Sequence, residues 1–125
     1  MKLRPLFLFA VLSATCARHE AAPARPAAAT VGAGDPARGP QLITRYGCNS
    51  CHIIPGIAGP KGTVGPSLEH LAGHPIIGNH LANTPENVAL WLQNPIAIDR
   101  DSSMPNLGIT VPESRDLAAF LATLR

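Results

Sequence analysis

The chain has 125 residues, of which 46% are hydrophobic and only 14% charged, with 13 Pro, 11 Gly and 3 Cys. A chain of this length forms one small domain, which excludes a multidomain enzyme. Its formal net charge is +2, but residues 35–125 carry six Lys or Arg against seven Asp or Glu, a net charge of −1. Because no basic run remains in that part, the sequence excludes nucleic-acid binding.

Aromatic side chains are scarce outside the N-terminal segment. After the first ten residues the only aromatic residues are Tyr46, Trp91 and Phe120. A small domain with so few aromatics has a marginal hydrophobic core of its own. We therefore expect a cofactor, a metal or a covalent cross-link to complete it.

Residues 1–16 have the organisation of a secretory signal peptide. Two basic residues precede an apolar run over residues 5–12, and small residues follow up to Cys16. The apolar run of about 8–10 residues is too short for a membrane-spanning helix, which needs about 20. The sequence therefore predicts export, with the periplasm as the location of the mature protein.

Cys16 is the odd cysteine of the three and allows two interpretations. It stands where a bacterial lipoprotein signal places the cysteine that is lipidated, although the preceding residues 12–15 match a lipobox poorly. In the second interpretation an ordinary signal is cleaved downstream, after Ala24, and Cys16 is lost. Residues 17–34 are rich in Ala and Pro and are predicted to form an extended linker, which suits a membrane tether.

Four helical segments or fewer are expected in the remaining domain, residues 35–125. The first is predicted to begin at Asp35-Pro36, an N-cap followed by a proline in the first turn, and to end at Gly47. The second has the same signature at Thr84-Pro85 and stops at Asn94-Pro95. The last begins at Thr110 and carries an amphipathic face formed by Leu117, Phe120, Leu121 and Leu124.

Residues 53–83 are predicted to be a long loop, with one helical turn over residues 67–72. Pro-Gly and Gly-Pro pairs interrupt this segment, and no stretch of the chain alternates in the manner of a strand. The predicted fold class is therefore all-α, with three or four short helices. A structureless loop of this length argues against an assignment unless the loop wraps around something large.

The sequence Cys48-Asn49-Ser50-Cys51-His52 is the signature for covalent attachment of haem c. Two thiols three residues apart can add to the two vinyl groups of one haem, and the adjacent imidazole can then bind the iron. Three other interpretations are weaker. A zinc site with His70 and His74 has too long a gap between its ligand pairs, a redox dithiol lacks a βαβ context, and a disulfide leaves His52 without a role.

Met104 is the candidate for the second axial iron ligand. It is the only methionine besides the initiator, and it lies in a Ser-Ser-Met-Pro sequence between two predicted helices. A thioether is a neutral, soft ligand that raises the reduction potential of a haem. Bis-His ligation through His70, His74 or His80 is the competing assignment, and we expect these three histidines to be solvated instead.

With these motifs, residues 35–125 resemble the class I c-type cytochromes, which carry one haem. Gly65-Pro66-Ser67-Leu68 is similar to the turn in which the family's proline carbonyl accepts the proton of the proximal histidine, which implies this role for Pro66 towards His52. Trp91 lies thirteen positions before Met104, where the family has an aromatic residue packed on the haem. The resemblance also implies that the terminal helix, with Phe120, crosses the first helix near Gly39 and Ile43.

The resemblance implies a cytochrome c fold wrapped around one covalent haem c and a function in one-electron transfer. The donor would be a quinol-oxidising complex or a periplasmic dehydrogenase, and the acceptor a terminal oxidase. A rim of isoleucines at positions 53, 54, 57, 76 and 77 is expected to form a weak, transient interface, and the protein is expected to be a monomer. The alternative functions are a peroxidase-like haem enzyme and a ligand sensor, both of which need a labile Met104.

Overall fold

The computed structural model describes residues 33–125, which form a helix-rich domain with one small hairpin. The predicted signal peptide, Cys16 and nearly all of the linker lie outside the described residues. The four helices are α1 (Gly39–Tyr46), α2 (Pro85–Gln93), α3 (Pro95–Ile98) and α4 (Val111–Leu121). The strands β1 (Ile76–Ile77) and β2 (Leu81–Ala82) pair antiparallel. Among these helices none is long and apolar enough to cross a bilayer.

Two of the predicted helices begin where their capping residues predict, whereas α1 begins later. The side chain of Asp35 caps a 3₁₀ turn (Pro36–Arg38), and α1 follows only at Gly39, without a side-chain cap of its own. Thr84 accepts a hydrogen bond from the first turn of α2. Thr110 does the same for α4. Asn94 both ends α2 and caps the short α3, a helix that the sequence prediction did not include. Each cap satisfies a backbone N–H that has no partner inside its helix.

The core lies where α4 packs against α1 and α2. Leu117 at its centre is fully buried, and Leu121 and Leu124 are nearly so, as the amphipathic pattern predicts. The predicted crossing of the terminal helix over the first is also present: a Cβ built on Gly39 would lie 2.1 Å from Cβ of Phe120. The backbones of α1 and α4 therefore approach each other at a point where α1 has no side chain.

A polar cluster fastens α1 to α4 beside this crossing. The carboxylate of Glu113 accepts hydrogen bonds from Tyr46 Oη at 2.7 Å, from Arg45 Nη1 at 2.7 Å and from the hydroxyl of Thr110. The hydrogen bond from Thr110, followed by that from Tyr46, holds the pKa of Glu113 below its ordinary value. The pKa of Tyr46 is raised, chiefly because its hydroxyl donates to this carboxylate. Both shifts are those expected when a phenol donates a hydrogen bond to an ionised carboxylate.

The expectation that the chain has no strands is wrong at residues 76–82. Gly78 and Asn79, with φ of 52° and 61°, turn the chain so that Ile76 pairs with Ala82 and Ile77 with Leu81. A Gly-Asn pair between short apolar runs is a hairpin signal, because these residues tolerate positive φ. Two-residue strands are too short to show an alternating pattern, so hydrophobic periodicity does not predict them. The helical turn expected at 67–72 is displaced to a 3₁₀ turn, Leu71–Gly73.

Candidate functional site

One cavity of about 780 Å³ collects all six residues predicted from the sequence to form the site. They lie on four separate stretches of chain: Cys48, Cys51 and His52 after α1, Pro66 in the long loop, Trp91 on α2, and Met104 between α3 and α4. Much of the remaining lining is apolar and comes from the core helices and the hairpin. A cavity of this size and character is typical of a site for a small molecule or cofactor.

The cysteine pair is presented on a tight turn at the end of α1. Gly47 adopts a left-handed conformation with φ of 67° and ends the helix, and a 3₁₀ turn follows over Cys48–Ser50. The backbone N–H groups of Cys51 and His52 both donate to the carbonyl of Cys48, at 3.2 and 3.0 Å. The two thiols are half-buried and form no disulfide. Burial raises the pKa of the Cys48 thiol, which stays protonated at neutral pH.

The imidazole of His52 is oriented by the loop opposite. Its Nδ1 lies 2.7 Å from the carbonyl oxygen of Pro66, and because a carbonyl only accepts, Nδ1 carries the proton. Nε2 is therefore the ring nitrogen with a free lone pair. The neighbouring Gly65 packs on the ring: a Cβ built there would lie 2.3 Å from Cε1 of His52. Only a residue without a side chain permits this approach.

The loop that carries Gly65 is fixed to the cysteine turn by backbone hydrogen bonds. The N–H of Gly65 donates to the carbonyl of Cys51 at 2.9 Å, and that of Leu68 donates to Ile53 at 2.9 Å. The long loop is therefore ordered along the edge of the cavity, and its register sets the position of the Pro66 carbonyl.

Met104 lines the cavity, and its sulfur has a hydrogen-bond donor of its own. Nε1 of Trp91 donates to Sδ of Met104 over 3.2 Å. The backbone N–H of Met104 donates to the hydroxyl of Ser102 at 3.1 Å. Side chain and backbone of Met104 are thus held separately, the first by α2 and the second by its own loop.

The zinc site considered from the sequence is not assembled in residues 33–125. No group of three His, Cys, Asp or Glu side chains in that range is arranged to hold a metal ion, so Cys48, Cys51, His70 and His74 do not form it. Of the histidines considered as rivals to Met104, His74 lines the same cavity as the predicted site residues. His70 borders a separate cavity of about 410 Å³ that contains none of the six predicted residues.

The expected isoleucine rim is wrong in part. Ile54 and Ile77 are buried in the core, with 3% and 8% of their surface exposed, whereas Ile76 is 55% exposed and lines the cavity. Neighbouring residues of a strand point to opposite faces, so Ile76 and Ile77 cannot both face solvent. Val64, which the sequence prediction omitted, is 79% exposed and also lines the cavity.

Two further features of the cavity were not predicted. Gly78 at the hairpin tip packs against the ring of Trp91, and Asp99 lines the cavity at the start of the segment leading to Met104. The Gly-Asn pair was a usable signal for the hairpin turn, but not for its contact with Trp91. No sequence signal marks Asp99 as a cavity residue, because its position depends on how the hairpin packs against the segment leading to Met104.

The chain matches no protein-family model, and no curated protein is significantly similar to it.

Proposed function

We propose that the protein is a one-electron carrier that holds a single haem c in the cavity, covalently bound to Cys48 and Cys51 and ligated by His52 and Met104. The proposal includes a cytochrome c fold for residues 35–125. The observation that carries it is the convergence of two thiols, an imidazole with a free Nε2 and a thioether sulfur on one cavity.

The residues present fit this group. Gly65 leaves room for the His52 ring to lie against the loop, and the hydrogen bond to Pro66 O directs the free lone pair away from that loop. The apolar lining matches a hydrophobic macrocycle, and two thiols on one turn match its two attachment points. When bound, the haem supplies the reversible one-electron change of its iron.

The chain's own residues would tune and protect that chemistry. The carbonyl of Pro66 makes His52 a more basic ligand, which stabilises the oxidised state, whereas a thioether such as that of Met104 favours the reduced state. The indole N–H of Trp91 withdraws electron density from Met104 Sδ and reinforces the second effect. Two ligands held by separate hydrogen bonds leave no open position for a substrate.

Redox partners would dock at the cavity mouth, where Val64 and Ile76 are exposed. No Lys or Arg lines the cavity among the described residues, although Asp99 and Asp101 do, so the contact around Val64 and Ile76 would be apolar, flanked by negative charge, and transient. The proposed donor is a quinol-oxidising complex or a dehydrogenase and the proposed acceptor a terminal oxidase, both facing the periplasm. A lipid on Cys16 would raise the effective concentration near such membrane partners.

The decisive experiment is the visible spectrum of the protein made in a host that attaches haem c. We expect a c-type spectrum after reduction and, in the oxidised protein, the weak long-wavelength charge-transfer band from sulfur to iron. A Met104→Ala variant should lose that band and bind cyanide rapidly. If Met104→Ala keeps its potential and spectrum, the His52/Met104 assignment is wrong. A wild type that lacks the band and turns over peroxide would indicate a haem enzyme, and a protein without haem would refute the proposal.

A further inference from the structure

The tip of the β1–β2 hairpin presses on the indole that donates to Met104. A Cβ built on Gly78 would lie 2.3 Å from Cζ3 and 2.4 Å from Cε3 of Trp91. These atoms, with Cη2 at 2.7 Å, belong to the six-membered ring, so Gly78 lies over the face of the indole at the end away from Nε1, which donates to Met104 Sδ. The hairpin tip therefore limits how the indole ring can tilt. Moving the tip would move the donor.

The hairpin tip also approaches the segment that leads to Met104. Nε2 of His80 lies 3.6 Å from Oδ2 of Asp99. Asp99 in turn holds the start of the Met104 segment: its Oδ1 accepts from the N–H of Asp101 at 3.0 Å, and its carbonyl accepts from that of Ser102 at 3.1 Å. The hydroxyl of Ser102 accepts from the N–H of Met104. A second series of contacts thus runs from the hairpin tip to the same residue.

The base of the hairpin is firmly anchored, which makes the tip a fixed point. The side chain of Asn83 donates to the carbonyls of Leu71 and His74, at 2.7 and 2.8 Å. The side chain of Asn87, on α2, donates to the carbonyl of Ala82 at 2.9 Å. These bonds hold both the entry and the exit of the hairpin against neighbouring elements. Because the base is held, a clash at the tip displaces the indole rather than the hairpin.

We propose that the hairpin tip is a positioning element for Met104, with Gly78 acting on its sulfur through Trp91 and His80 acting on its backbone through Asp99. The inference rests on the proposed function, in which that sulfur binds the iron. None of Gly78, His80 and Asp99 is itself a proposed ligand of the iron. They determine how long the sulfur stays in place.

The test uses the haem-loaded protein and two variants with matched controls. Gly78→Ala adds a methyl group that collides with the indole at a residue whose φ of 52° already disfavours a side chain. Its control is Gly73→Ala, because a Cβ at Gly73 has no atom within 4 Å. His80→Asn shortens the side chain that reaches Asp99, and its control is His70→Asn at the smaller cavity.

Two readouts separate positioning from general stability. The first is the rate at which cyanide binds the oxidised protein, which reports release of the sulfur. We expect Gly78→Ala to bind about tenfold faster or more and His80→Asn roughly threefold faster, with both controls at the wild-type rate. The second is hydrogen exchange of the indole N–H, measured by NMR on the same haem-loaded proteins. It reports on the donor directly rather than through the iron, and it is unambiguous because Trp91 is the only tryptophan. It should accelerate in Gly78→Ala alone.

The outcomes distinguish the inference from the function it rests on. If the wild type has the sulfur-to-iron band but Gly78→Ala and His80→Asn behave like their controls, the positioning inference is wrong and the proposed function stands. If Gly78→Ala does not fold, His80→Asn decides the inference through the cyanide rate alone. If the wild type binds haem without the band, Met104 is not a ligand, and both the inference and the His52/Met104 assignment are refuted.

Discussion

Replacing Gly65 by alanine should disturb the site at its best-defined hydrogen bond. The added methyl carbon would lie 2.3, 2.7 and 2.8 Å from three atoms of the His52 ring. Ordinary carbon contacts begin near about 3.5 Å, so the ring and the loop must separate by roughly 1 Å. The bond from Nδ1 of His52 to the carbonyl of Pro66, now 2.7 Å, would then exceed the hydrogen-bond range.

The size of the effect follows from the interactions lost. Overpacking of this kind costs about 1–3 kcal/mol of stability. A hydrogen bond of this type contributes about 0.5–1.5 kcal/mol, and its loss makes His52 a less basic ligand and destabilises the oxidised iron. Because only the difference in the strength of this bond between the two oxidation states moves the potential, the expected increase is at most about 65 mV.

A spectroelectrochemical titration of Gly65→Ala measures the potential, and denaturant unfolding measures the stability. Gly73→Ala is the control, because its methyl group meets no atom within 4 Å and touches no residue of the site. An unchanged or lower potential in Gly65→Ala would refute the role given to the Pro66 carbonyl. A haem that stays attached but loses its low-spin spectrum would mean that the ring is displaced from the iron rather than only from its hydrogen bond.

Three other substitutions test the fold and the site. Glu113→Gln removes a carboxylate whose pKa is lowered in the folded protein, so the wild type should lose stability as pH falls below the ordinary value of 4.5. The variant should lose less over the same range in denaturant titrations at several pH values, and parallel curves would contradict this. Gly39→Ala should lower the unfolding free energy by about 1–3 kcal/mol, because its Cβ would overlap that of Phe120; an equally stable variant would show that the helices can separate without cost. Trp91→Phe removes the donor to Met104 Sδ and should lower the potential by at most about 65 mV while the sulfur-to-iron band persists. An unchanged potential would mean that the hydrogen bond does not tune the sulfur.

The sequence by itself determined the features that depend on neighbouring residues. Capping residues such as Thr84 and Thr110 mark the helix starts because an N-terminal turn needs an acceptor within three positions, wherever the helix lies in the fold. The spacing of Cys48, Cys51 and His52 is equally local, since one turn brings them together. Met104 stood out only because the chain has no other internal methionine.

Only the tertiary structure decided which distant residues meet. The contact between Gly78 and Trp91, the approach of His80 to Asp99 and the burial of Ile54 depend on how loops pack on helices, which leaves no periodic trace in the sequence. The short hairpin escaped prediction for the related reason that its strands are stabilised by pairing and by anchoring bonds from outside it, not by their own pattern. The helix caps and the spacing of the cysteine motif could be predicted because they depend on residues close in sequence. The contacts that hold Met104 in place could not, because they arise from packing between residues far apart in the sequence.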